Sequence, residues 1–81
     1  MNVILGIKLE ERLENSLKFQ RILSNFGCQI KTRLGLHDIE NNSCTNWGII
    51  ILEFRGDEAS LRDFEKEIFE IENVQIGKII F

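Results

Sequence analysis

The run Trp47-Gly48-Ile49-Ile50-Ile51-Leu52-Glu53-Phe54 limits what this chain can become more than any other stretch. Its consecutive isoleucines are β-branched and favour extended backbone, and a run apolar at nearly every position suits a strand buried on both faces. A polar, Asn-rich segment precedes it and Gly56-Asp57 follows it, so turn chemistry bounds the run and leaves it too short for a typical helix. It reads as a central strand of a sheet.

The other elements can be placed around that strand. Residues 2–9 carry Val3, Ile4, Leu5 and Ile7 and read as a second central strand. From Leu13 to Phe26, the residues Leu13, Leu17, Phe19, Ile22, Leu23 and Phe26 fall at helical spacings over a wide arc, predicting a well-covered helix closed by Gly27. Residues 29–37 alternate, with Ile30, Thr32, Leu34 and Leu36 on one side and Lys31, Arg33, Gly35 and His37 on the other, as in an edge strand with one buried face. Residues 38–46 lack periodicity and read as a loop. Asp57 is placed to cap a second helix whose Leu61, Phe64, Ile68 and Ile71 share a face. Asn73 allows a tight turn into a last strand, 74–81, with Val74, Ile76 and Ile80 on one face.

Strand, helix, strand, strand, helix, strand is the α+β ferredoxin-like order. Right-handed crossovers then place the first and third strands in the middle of a four-stranded antiparallel sheet with both helices on one face. The strands that composition marks as central are the ones the topology makes central. Trp47, Ile49 and Ile51 alternate with Ile50, Leu52 and Phe54, and one of these sets must lie on the face without helices. A contiguous apolar patch there marks an association surface, so a homo-oligomer, dimer or tetramer, is expected with Trp47, Ile49 and Ile51 at the interface.

With 81 residues, 43% of them hydrophobic, the chain makes a single domain, 1–81, near the size at which core burial and ordering entropy almost cancel. Its net charge of -3 argues against a surface built to neutralise phosphates, so direct nucleic-acid binding is not expected. No apolar run approaches the roughly 20 residues of a membrane span, and the opening Met1 to Ile7 lacks the basic region of a signal peptide. Cys28 and Cys44 form no CxxC pair and read as reduced thiols of a cytoplasmic protein.

The chemistry-bearing residues are sparse. His37, Cys28 and Cys44 are the soft-ligand types of a metal-binding sensor, but no pair of them lies within a few residues, so no metal and no cofactor is expected. Arg33, Lys31 and His37 share one side of their strand and could receive an anion or a partner carboxylate. No nucleophile stands beside a base in sequence, and no carboxylate has an apolar setting that would tune it, so an enzyme is not expected. Gly6, Gly35, Gly48 and Gly77 lie inside strands, where glycine often marks close approach by another backbone or a ligand.

Ile22-Leu23 with Phe26-Gly27, Ile30, Arg33-Leu34-Gly35, the apolar central strand, Asp57, Leu61, Phe64, Ile68, Ile71 and Val74-Gln75-Ile76 together resemble the small regulators of the iron-only hydrogenase system. The Arg-x-Gly carried by Arg33 and Gly35 is the most specific element; the rest is apolar skeleton. The resemblance implies a stand-alone ACT-like domain, similar in fold to the C-terminal domain of the nickel-responsive repressor. It also implies a regulatory role with a small-molecule effector bound between subunits, or a regulatory partner protein. A single histidine cannot reproduce that repressor's ligand set, and the chain has no proline for the Pro-Gly turn of amino-acid-binding ACT domains. The expected effector site joins Glu10 and Glu11, at the end of the first strand, to Arg33, Gly35 and His37 of a neighbouring subunit. Its ligand presents a cationic or amide group to the acids.

Overall fold

A computed structural model describes residues 1–10, 13–37 and 47–81, residues 35–37 as backbone alone. Glu11 and the loop expected at 38–46 therefore lie outside the described residues. The elements are β1 (Asn2–Glu10), α1 (Leu13–Asn25), β2 (Ile30–His37), β3 (Trp47–Arg55), α2 (Glu58–Ile68) and β4 (Gln75–Ile80). The strands form one four-stranded sheet in the order β2-β3-β1-β4, with every neighbouring pair antiparallel. This is the α+β ferredoxin-like arrangement expected from the element order, with β1 and β3 inside.

Alternation along β1 buries Val3, Leu5, Ile7 and Leu9 against the helices, and β3 adds Leu52 and Phe54. From α1 come Phe19, Ile22 and Leu23, and from α2 Leu61, Phe64 and Ile68, so both helices cover the same face of the sheet in one core. Phe64 is the hub of this layer: its ring lies 5.4 Å from Phe54 of the sheet and 5.2 Å, edge-on, from Phe26 beyond α1. Phe54 and Phe64, both fully buried, each contribute about 1.5–3 kcal/mol of transfer free energy, and the edge-on geometry of Phe26 adds attraction between ring edge and face.

The ends of α2 follow local chemistry. Asp57 caps the helix by accepting a hydrogen bond from the Ser60 N–H at 2.8 Å, and Asn73 takes a positive φ of 63° in the turn toward β4. Asn tolerates that region better than most residues because its short polar side chain can bond locally.

Several expectations need correction. Strand β2 does not alternate evenly, because Ile30 pairs with Phe54 while Thr32 pairs with Glu53, leaving Lys31 as an extra, bulged residue. Ile30 therefore packs on the core, whereas Leu34, in register with Ile51, lies on the opposite face and is 53% exposed. Helix α1 is less covered than its wide arc suggested: Leu13 and Leu17 point to solvent, because the helix touches the sheet through one stripe. Asn15 takes an inward position instead, donating its side-chain amide to the Glu10 carbonyl at 3.1 Å. Gly27 follows α1 without a positive φ, the chain turning through the Gln29 N–H to Phe26 carbonyl bond.

The Ser60 N–H bond holds the Asp57 carboxyl below its ordinary value of 3.8. A depressed carboxylate contributes stability that is complete above its unfolded value and fades as pH falls through the folded one. Asp57→Asn should therefore lower the thermal midpoint at neutral pH, with the difference from wild type shrinking below about pH 4. Leu52→Ala should cost about 2–5 kcal/mol in urea denaturation, by opening a cavity in the core beneath the helices.

Candidate functional site

With both helices on one face, the other face of the sheet carries the opposite parity of every strand. Register puts Leu34, Ile51, Gly6 and Gly77 in one row across it, and Thr32, Glu53, Ile4 and Ile79 in the next. Ile49 lies in the following row beside Lys8 and is 42% exposed, and Trp47 sits opposite Glu10 at the end of the sheet. Trp47, Ile49 and Ile51 are thus the uncovered set, and Ile50, Leu52 and Phe54 the covered one. The result is an apolar band across the strands, bordered by Lys8 beside Ile49 and by Glu53 beside Ile4.

The middle of this band is hollow because Gly6 and Gly77 stand opposite each other on neighbouring strands. They leave a shallow depression of about 370 Å³ between Ile4, Ile51 and Ile79. A Cβ built on Gly77 would meet nothing within 4 Å, and one on Gly6 only the Gly77 carbonyl at 4.0 Å. The packing of the domain therefore does not require either glycine, although glycine inside a strand destabilises it. Their smallness opens space for something outside the domain. Both glycines stand out in the sequence, but only the register makes them cross-strand neighbours.

At the Trp47 end the face becomes polar. The Lys8 ammonium stands 5.5 Å from the centre of the Trp47 ring, and the Glu10 carboxylate accepts a 3.4 Å hydrogen bond from Asn73. Position 37 is paired with Gly48 near the same end. Arg33 lies elsewhere: in register with Leu52, on the helix-covered side, it donates to the Gln20 side chain at 3.1 Å and lies 5.8 Å from the Phe19 ring. The Lys31 bulge puts it there. Within one chain, Glu10 and Arg33 are on opposite faces of the sheet. Cys28 is exposed, and among the described residues no three His, Cys, Asp or Glu side chains converge as metal ligands would.

No family model matches the chain, and no curated protein matches it in sequence. Among solved structures it is similar to the uncharacterized protein TM1266 from Thermotoga maritima, with a TM-score of 0.84 and 24% identity over 96% of this chain and 92% of that one. It is also similar to SnoaB, a cofactor-independent oxygenase from Streptomyces nogalater, with a TM-score of 0.65 and 13% identity over 99% and 92% of the two chains. A dimeric ferredoxin-like protein of unknown function from Thermobifida fusca superposes with a TM-score of 0.51 and 10% identity over 99% and 92%. At these identities the likeness establishes the fold alone.

One expectation is overturned by this comparison. A chain of the same fold over nearly the whole length is an oxygenase that needs no cofactor, so the lack of a nucleophile beside a base does not exclude catalysis. Among the described residues no helix is long and apolar enough to cross a membrane.

Neighbouring residues of β3 should respond oppositely to the same change. Ile50→Lys drives a charge against the helix-side core and should destabilise the fold by at least about 2 kcal/mol. Ile51→Lys, on the uncovered face, should leave the fold of a single domain nearly as stable, with both read by chemical denaturation at low protein concentration.

Proposed function

We propose that this chain is a single ACT-like domain, residues 1–81, that works as a homo-oligomeric binding and regulatory module assembled through its uncovered sheet face. The observation that carries the reading is the opposed pair Gly6 and Gly77 within the apolar band of Ile4, Ile49, Ile51 and Ile79. A second sheet can approach such a hollow to core-like distance, burying side chains that helices do not reach. Trp47, Ile49 and Ile51 are the interface residues of this assembly. That a dimeric protein shares the fold supports it.

The polar end of the face then becomes the effector entrance. Glu10, with Glu11 next to it in sequence, offers carboxylate to a ligand's cationic or amide group, beside the Lys8 and Trp47 pair. Arg33, Gly35 and His37 are in register with Leu52, Ile50 and Gly48, the helix-covered parity, so a neighbouring subunit packed on this face does not supply them. The resemblance carried by Arg33-Leu34-Gly35 and the apolar skeleton supports regulation of the iron-only hydrogenase system as the biological setting.

Three measurements test the reading. Sedimentation velocity at tens of micromolar (about the range in which typical interfaces assemble) should show an oligomer for the wild type and a monomer for Ile51→Lys. Gly77→Ala should raise the stability of the isolated domain by up to about 0.5–1 kcal/mol while weakening assembly. A monomeric wild type would remove the assembly. A thermal-shift screen of amines, amides and nucleotides should find a stabilising ligand whose effect is lost in Glu10→Gln.

A further inference from the structure

A second surface lies at the outer edge of the sheet. The strand order makes β4 an edge strand, and the Phe81 N–H donates to the Asn2 carbonyl at 2.9 Å. In an antiparallel ladder this parity turns residues 75, 77 and 79 toward β1, so Ile76, Lys78 and Ile80 direct their backbone N–H and C=O outward. Natural edges are usually blunted by proline, a bulge or charge. Strand β4 has no proline and no register shift against β1, and its one charge, Lys78, is folded back onto Glu65 of α2 at 3.0 Å. The neighbouring Ile79, Ile80 and Phe81 are all exposed.

Beside this edge, between β4 and α2, lies a cavity of about 230 Å³. Leu61, Ile80 and Met1 supply its apolar surface, Lys78 one wall, and Glu58 and Arg62 its charged rim. The volume is below the roughly 300–1,000 Å³ usual for small-molecule sites and suits one side chain. The rim is neutral: Lys78 is offset by Glu65, and Glu58 and Arg62 stand one turn apart on α2. An outward-facing ladder of peptide groups next to a single-side-chain cavity is what strand addition requires, the backbone supplying affinity and the cavity selecting alternate residues.

We propose that the β4 edge and the β4/α2 cavity form a docking site for an extended peptide, added as a fifth strand, whose one large aliphatic side chain enters the cavity. The neutral rim makes this side chain an uncharged one and makes binding nearly independent of salt. The site is separate from the uncovered face and does not depend on assembly through it.

The probe is a fluorescein-labelled peptide, Thr-Thr-Leu-Thr-Thr, with a second peptide carrying Ser in place of Leu as the control. Fluorescence anisotropy should show saturable binding of the first, at least tenfold tighter than the control and changing less than threefold between 50 and 300 mM salt (conditions chosen to span a large change in screening). Amide exchange followed by NMR should show Ile76, Lys78 and Ile80 exchanging fast in the free protein and protected with the peptide, while Gly77 and Ile79 are protected in both. Lys78→Pro removes an outward N–H that makes no bond to β1, so it should fold yet lose at least tenfold in binding. Lys78→Ala, which loses the same ion pair and cavity wall but keeps the N–H, should stay within threefold. No saturable binding, equal affinity for the two probes, or equal binding by Lys78→Pro would overturn the proposal. So would protection of the Ile76, Lys78 and Ile80 amides in the peptide-free protein, which would assign the edge to a second copy of this chain.

Discussion

A strand has two faces, and the helices of this fold can cover only one. Everything distinctive about the molecule follows from the apolar content of β1 and β3 on both parities. The odd residues of β1 and the even residues of β3 meet Phe19, Ile22, Phe64 and Ile68 and close the core. The opposite parity, Ile4, Ile49 and Ile51, is pushed by the pleat onto the side where no helix lies. In a domain of this size such surface is a large share of what folding could bury, so leaving it wet is a substantial loss unless another surface covers it.

The edges of the sheet are treated differently. Strand β2 begins with a bulge that displaces Lys31, twists the strand and moves Arg33 to the helix side, where it is tied to Gln20 and lies near Phe19. Strand β4 has no such device. Its register with β1 is continuous, its only charge is engaged by Glu65, and its outward peptide groups run beside a cavity whose apolar surface, from Leu61, Ile80 and Met1, has a charged rim. One edge is altered by local irregularity while the other keeps the regular geometry that a further strand can extend.

The comparisons fit a fold that serves many purposes. A cofactor-independent oxygenase and a dimeric protein of unknown function share one arrangement of strands and helices, so function has to be argued from the site. In this chain the site-level facts are the opposed glycines, the Lys8 and Trp47 pair beside Glu10, and the open β4 edge.

Sequence alone determined the elements and their order, because hydrophobic periodicity, the Asp57 cap and the Asn73 turn are local signals that act within a few residues. It also determined that β1 and β3 lie inside the sheet, since strands apolar on both parities need neighbours on both sides. Which parity the helices cover was not legible: Ile50 and Ile51 are chemically identical, and only the packing of α1 and α2 distinguishes them. The placement of Arg33 was likewise undecided, because one bulged residue reverses the parity of all that follows and its position depends on pairing with β3. Gly6 and Gly77 were each visible in the chain, but residues so far apart become one hollow only through the β1–β4 register. Tertiary structure decided these points because cross-strand pairing sums interactions along whole strands, and no local pattern encodes that sum.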